Sequence, residues 1–353
     1  MRNWLVVSLL MVLWLGSAGC GADMLDDGTD PSQPGDDPLD PASPKFISCT
    51  SGAIPTGLPT VDWSNTLNEI ITLADPWHSA QDVVAQAGKE ITIAGKFSYG
   101  AISKDLEGER IQVWIDDCKG GYRKLGERVT NSDGRIALPL TAAEVPATGE
   151  YGLYLRVMGD DSDARARLRV YPASTQFIVF DVDATLTTSD TELVGQVISE
   201  ILDGSSVPEP REGAQAITDL RQRKQGYELI YLTGRPYLLD GITRRWLIDL
   251  GFPSGTVHLT DEVSNSWPSD SQVGTYKAAF LRQLLDNGFI LHAAYGNATS
   301  DIFAYEQAGI AKQQTFIMGT HGGESSTVGL GEAYTDHVAL LAGEPPAKQP
   351  FTR

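Results

Sequence analysis

Two aspartates one position apart, Asp181 and Asp183, close a run of four apolar residues in "FIVFDVDAT", Phe177 to Thr185. Side chains alternate along an extended chain, so residues two apart face the same side. Carboxylates placed in this way can divide the work of covalent phosphoryl transfer, one attacking phosphorus and the other protonating the departing oxygen. That chemistry also needs donors for the phosphoryl oxygens and a cation to offset their charge. Candidates recur downstream. "YELIYLTGRP" ends on Thr233, Gly234 and Arg235, a hydroxyl, a flexible turn with free amides, and a guanidinium, all suited to holding phosphate. Lys277 opens the amphipathic stretch "KAAFLRQLLDN", a position where the helix dipole slightly disfavours a cation. "YGNATSD" offers Asn297 and Asp301, oxygen donors of the kind that magnesium takes in its inner or outer shell. Each feature alone is ordinary, because turns favour Asp, Thr and Gly and a lone lysine reads as surface charge. Their order, acid pair, Thr, Lys, then amide and acid, each at a strand end or just before a helix, is what points to phosphoryl chemistry.

The elements that must position these residues are legible in outline. From Gln176 onward apolar strands alternate with amphipathic helices, as in "FIVFDVD", "AITDLRQRKQ", "YELIYLTGRP" and "ITRRWLIDLG". Alternation of this kind predicts an α/β fold, a Rossmann-like parallel sheet covered on both faces, with ligands beyond the carboxyl ends of the strands. Residues 83–172 change rhythm to short alternating segments, such as "KEITIAGKF", "ERIQVWIDD" and "GEYGLYLRVMG", separated by turns such as "NSDG". This pattern predicts a small immunoglobulin-like β-sandwich, whose plainest role is scaffolding. Residues 46–82 are left unassigned apart from a helix expected in "WSNTLNEIITLA". Residues 321–353 read as a C-terminal extension, with His321 and His337 as surface or packing residues.

With 353 residues, 41% hydrophobic and 21% charged, the chain has the composition of a folded protein of about two domains. Its formal charge of −19 and lack of basic runs exclude nucleic acid as a partner. The opening "MRNWLVVSLLMVLWLGSAGC" places Arg2 before an apolar stretch from Trp4 to Leu15, the form of an export signal and too short for a stable membrane span. Ending at a cysteine, it resembles a bacterial lipoprotein signal. That resemblance implies a signal peptide over residues 1–19, lipidation of Cys20, and a membrane-anchored protein facing the periplasm or the cell exterior. Residues 20–45, rich in Asp, Pro, Gly and Ser, then serve as a disordered acidic tether. Cys49 and Cys118 are the remaining cysteines, and a disulfide or two buried thiols are equally compatible with the sequence. No CxxC motif accompanies the five scattered histidines, so a Cys/His zinc site is not expected.

The order of motifs from Phe177 resembles the haloacid dehalogenase superfamily of phosphohydrolases, whose first motif is four apolar residues followed by DxDx[TV]; "GNATSD" matches its last, GDxxxD, with Asn297 in place of the first acid. More narrowly, "DVDATLTTSD", "YELIYLTGRP", "YGNATSDIFAYEQAGI" and "QTFIMG" resemble the catalytic domain of lipins and the C-terminal domain of membrane-associated phosphatidylinositol transfer proteins, over residues 174–320. The lipin resemblance implies a magnesium-dependent phosphatidate phosphatase. It makes Asp181 the nucleophile, Asp183 the general acid/base and Asn297 a metal ligand, with Asp181, Asp183 and Asp301 as further magnesium partners and Thr233 and Lys277 as catalytic groups. Ala184 stands where lipins carry Gly. The transfer-protein branch lacks the nucleophile, and that resemblance implies binding of phosphatidate without turnover. Hydrolysis of small soluble phosphomonoesters is a third possibility. About fifty residues separate the acid pair from Thr233 and about fifteen separate "VHLTD" from Lys277, leaving no room for a large cap, so the domain is expected to be capless and open to a bulky phospholipid or other phosphomonoester.

Overall fold

The computed structural model describes residues 43–100, 103–188, 208–260 and 270–352. The expected signal peptide, Cys20 and nearly all of the expected tether lie outside the described residues.

Short strands build the first half: β1 (Ile47–Cys49), β2 (Ser79–Ala80), β3 (Val83–Gln86), β4 (Ile91–Lys96), β5 (Ser98–Tyr99), β6 (Lys104–Asp105), β7 (Arg110–Asp116), β8 (Tyr122–Val129), β9 (Arg135–Leu140), β10 (Gly149–Val157) and β11 (Asp163–Tyr171). One sheet runs β3-β11-β10-β7-β8 with β1 also on β10, and a second runs β2-β4-β9. Period-2 alternation sends Ile111, Val113 and Ile115 of β7 into one core with Ile93 of β4 and Leu138 of β9. The segment left unassigned over 46–82 belongs to this layer: β1 pairs with β10, β2 pairs with β4, and the helix Thr66–Ile71 is capped where Asn68 N–H donates to Asn65 Oδ1 at 2.9 Å. A disulfide joins Cys49 to Cys118 across 69 residues of sequence, which decides between the two cysteine readings. Closing a loop of that length is worth about 4 kcal/mol in the chain-entropy picture.

The second half is a six-stranded, all-parallel sheet in the order β14-β13-β12-β15-β16-β17. Its strands are β12 (Gln176–Phe180), β13 (Glu228–Pro236), β14 (Thr256–Thr260), β15 (Ile290–Gly296), β16 (Thr315–Met318) and β17 (Val328–Gly331). Every residue of β12 is buried because both faces of the sheet are covered. Ile178 and Phe180 join one core with Trp246 and Leu247, while Phe177 and Val179 join the other with Leu281, Leu284 and Tyr305. The chain beyond 320 is part of this domain and not an appendage. β17 is its sixth strand, the helix Thr335–Leu341 packs Leu341 into the first core, and Phe351 lies 5.3 Å from Phe46 and 6.0 Å from Tyr171, ring centre to ring centre. His337 is a packing residue there, 4.4 Å from the Phe316 ring, and His321 is exposed. Among the described residues no helix is long and apolar enough to cross a membrane.

Asp82 fastens the two halves together. Its buried carboxylate accepts from Arg169 and from Val257 N–H at 2.9 Å, pairs with Arg244 at 2.9 Å, and accepts from Arg167 N–H at 2.7 Å. Burial alone would raise it, but the two guanidinium groups and the backbone N–H hold it at about 2.

Candidate active site

β12 is central, and the backbone N–H of Asp181 still donates to Tyr295 O of β15 at 2.9 Å, so this residue sits on the last rung of the sheet. Its carboxylate is nearly closed off from solvent. Lys277 Nζ donates to Oδ1 at 2.6 Å and Thr185 Oγ1 donates to Oδ2 at 2.9 Å. Lys277 does not open its helix, which runs Asp270–Asp286, so the dipole penalty expected at a helix start does not apply. Asp301 also accepts from Lys277 Nζ, at 2.7 Å through Oδ1, while its Oδ2 accepts the backbone N–H groups of Asn297 and Ala298 at 3.0 and 3.1 Å. Both oxygens are therefore engaged in positioning Lys277 and the β15 turn. Gly296 permits this packing, since a Cβ there would fall 2.5 Å from that of Asp301.

Asp183, in the turn beyond the strand, has a different setting. Arg235 donates to its Oδ1 from Nη2 at 2.8 Å and to both oxygens from Nε at 3.0 Å, and Thr233 Oγ1 donates to Oδ2 at 3.0 Å. Arg235 is itself fixed by Thr243 at 3.0 Å. Thr233 and Arg235, expected to hold phosphoryl oxygens, are here engaged with the second acid. Gly234 lies against Val273, whose Cγ1 would be 3.1 Å from an added Cβ.

Several participants were not assigned a role from sequence. Thr185 touches both Asp181 and Asn297. Arg211 Nη2 donates to Ala184 O at 2.8 Å, and the Tyr334 hydroxyl donates to Thr185 O at 3.1 Å, so residues far along the chain shape the turn after the acid pair. Thr185 lies within the motif of the acid pair itself; the other two carry no local signature. Ala184 sits in this turn at φ 51°, a left-handed conformation that Gly adopts more freely.

The Asn297 amide stands beside Asp181 Oδ2, the Asp183 carbonyl and Thr185 Oγ1. With its nitrogen toward them it donates at 3.3, 3.0 and 3.1 Å; with its oxygen toward them all four groups present oxygen to one small space. Among the described residues no three His, Cys, Asp or Glu side chains converge on a metal position, so the available set is a carboxylate, a carbonyl, an amide and a hydroxyl. Such all-oxygen surroundings fit a hard cation. The two acids are shifted in opposite directions. Burial, with help from Asp301 and Asp183 and against the pull of Lys277, pushes Asp181 up to about 7. Burial also acts on Asp183, but Arg235 and Thr233 outweigh it and hold that carboxyl below its ordinary range. Attraction to Asp181 and Asp301 outweighs burial at Lys277 and raises it, so it stays charged.

Residues 178–319 match the family model described as PITM 1-3, LNS2 domain, and residues 76–170 match PITM 1-3, beta-sandwich domain. Both domains match PITM models. The resemblance to the transfer-protein branch thus extends into the sandwich. Protein retinal degeneration B of Drosophila melanogaster is 31% identical over 281 residues, covering 77% of this chain and 21% of that protein. Membrane-associated phosphatidylinositol transfer protein 3 of Homo sapiens is 30% identical over 270 residues, 75% of this chain and 26% of the relative. The human protein numbered 1 in the same series is 28% identical over 282 residues, 78% and 21% respectively. The chain therefore spans about a fifth to a quarter of these relatives. They overturn one expectation: they are animal proteins, those of Homo sapiens described as membrane-associated, so the reading of an exported bacterial lipoprotein facing the periplasm or cell exterior does not hold. That reading rested on the apolar leader and the cysteine that ends it, which carry no information about the domains that follow.

Proposed function

We propose that this chain is a phosphomonoester hydrolase of haloacid dehalogenase type that works through an aspartyl-phosphate on Asp181, with a phosphatidate-like phospholipid as its first candidate substrate. The observation that carries the reading is the environment of Asp181: an attacking carboxylate at the end of the central strand, aimed by Lys277 on one oxygen and Thr185 on the other. Asp181 attacks phosphorus, the ester P–O bond breaks, and the departing oxygen takes a proton from Asp183. A water then gives its proton to Asp183 and attacks the acyl phosphate, releasing inorganic phosphate and restoring both acids. Lys277 offsets the charge that builds on the phosphoryl oxygens. Asp181 Oδ2, the Asp183 carbonyl and Asn297 Oδ1 would hold magnesium, which when bound supplies positive charge to the phosphoryl group. The short intervals around the site support an open, capless entrance. The names of the relatives support a lipid substrate.

One observation favours a second reading, binding of phosphatidate without turnover. Asp183 is clamped by Arg235 and held below its ordinary range, which makes it a poor proton donor unless an arriving phosphate draws the guanidinium away. The deciding experiment follows inorganic phosphate from short-chain phosphatidate with the full chain, with and without magnesium, beside Asp181→Asn and a generic phosphomonoester. Release that requires the metal and falls by about a thousandfold or more in the variant supports hydrolysis. Binding of phosphatidate vesicles with no release from either ester selects the second reading.

A further inference from the structure

We infer that the seam between the sandwich and the parallel sheet is a second binding site, one that takes a small organic monoanion with an apolar body. A cleft of about 490 Å³ opens there, within the size of small-molecule pockets. Its sandwich wall comes from the start of β1 and from β10 and β11, and its other wall from the end of the helix Asp240–Asp249 and residues 252–255, the loop that enters β14. That loop lies at the amino ends of the parallel strands. The acid pair, Thr233 and Asn297 all lie at the carboxyl ends, so the two sites occupy opposite edges of the sheet.

The walls differ in chemistry. Leu247, Ile248, Phe252 and Pro253 give an apolar surface, and Arg167, Arg169 and Arg244 face it. Arg169 donates to Asp82 at 2.9 Å, Ser254 at 3.1 Å and Glu150 at 3.3 Å. Arg244 is less fully paired. Its Nε donates to Asp240 at 2.8 Å and its Nη1 pairs with Asp82 at 2.9 Å, but its buried Nη2 has no partner among the described residues. A buried guanidinium N–H without an acceptor is costly, but this nitrogen is closed off, so Arg244 adds positive charge to the wall and Arg167 is the guanidinium that an occupant can touch. Arg167 stands at the mouth with a third of its side chain exposed, its Nε 3.6 Å from Glu150, beyond hydrogen-bonding distance.

Charge limits the occupant. Three guanidinium groups line the cleft against one carboxylate, which favours an anion over a cation at its surface. Asp82 and Asp240 stand behind them and Glu150 is the carboxylate that faces the cleft, so the cluster is balanced before anything binds and one negative charge is better tolerated than two. A carboxylate on a short alkyl or aryl body suits both walls: its oxygens reach Arg167 at the mouth, and its body covers Leu247 and Phe252.

Calorimetric titration of the full chain with octanoate tests this, with octanol as the body without the charge and acetate as the charge without the body. Octanoate should bind, and each control should bind at least about tenfold more weakly, the value of one charge-assisted hydrogen bond. Arg167→Gln should weaken octanoate by about tenfold. Ser48→Trp, which places an indole into the cleft from the exposed face of β1, should abolish binding. Asp181→Asn should leave it unchanged. The proposal is overturned if octanoate does not bind, if octanol binds as well, if the two seam variants bind normally with unchanged circular dichroism, or if Asp181→Asn removes the signal and so places the anion in the catalytic site.

Discussion

Asp82 at the seam and Asp181 at the end of the central strand are both shut away from solvent, yet one is held at about 2 and the other is pushed up to about 7. Burial opposes ionisation equally in kind at the two places, so the donors decide. Asp82 accepts from two guanidinium groups and two backbone N–H groups. Asp181 has one ammonium, which it shares with Asp301, and one hydroxyl, with Asp183 close by. The seam uses its charges to hold two layers in register, while the site leaves a carboxylate short of partners, which is where a cation or a phosphoryl group gains most by arriving.

The largest effect expected from this contrast is on stability. Asp82→Ala leaves Arg169 and Arg244 buried without their shared counter-charge, and breaking one partner of such a pair costs about 3–5 kcal/mol. Asp181→Asn removes a group that burial disfavours, so near pH 4, where Asp181 holds its proton, the unfolding free energy should change by about 1 kcal/mol or less, while turnover is lost at neutral pH. Urea denaturation of both variants checks the contrast. Equal destabilisation by the two would mean that Asp181 is as well satisfied as Asp82.

The same contrast sets opposite responses to pH. Asp82 has a folded value of about 2 against about 3.9 unfolded, so its contribution of about 2 kcal/mol is present above pH 4 and is lost as pH falls toward 2. Asp181 is raised, so the stability linked to it is present below about pH 4 and is lost as pH rises through 7. Unfolding free energies between pH 4 and 8 should therefore decline for the parent chain relative to Asp181→Asn. Parallel curves would show that Lys277 holds Asp181 ionised throughout.

What could be read in advance divides along physical lines. The residues expected at the site lie near one another because strand ends of a parallel sheet share one edge, and Asp181, Thr233 and Asn297 each follow an apolar run that declares the strand. Lys277 was placed at a helix start because the two turns before it, "DSQVGTY", carry little apolar periodicity. β8, "YRKLGERV", is an edge strand with mostly half-exposed residues, and its charges hide the alternation. β17 is short, half-exposed and rich in glycine, so it read as tail. The clamp of Arg235 on Asp183 had no advance signal, since sequence gives the residues of an ion pair but not which of several partners each one takes.

The smallest effect is at Ala184, and it separates local strain from site chemistry. At φ 51° this alanine pays a steric cost that glycine avoids, so Ala184→Gly should raise stability by up to about 1 kcal/mol, less the extra chain entropy of glycine in the unfolded state. Gly296→Ala at the other end of the site should do the reverse, because its new methyl would meet Asp301, which is fixed by Lys277 and two backbone N–H groups and has nowhere to move. Thermal unfolding of the pair, read beside phosphate release, distinguishes two origins for the strain. If Ala184→Gly is more stable and equally active, the strained turn is a tolerated substitution. If it is more stable but loses activity or phosphatidate binding, the stiffness of the turn holds Thr185 and the Asp183 carbonyl where the site needs them.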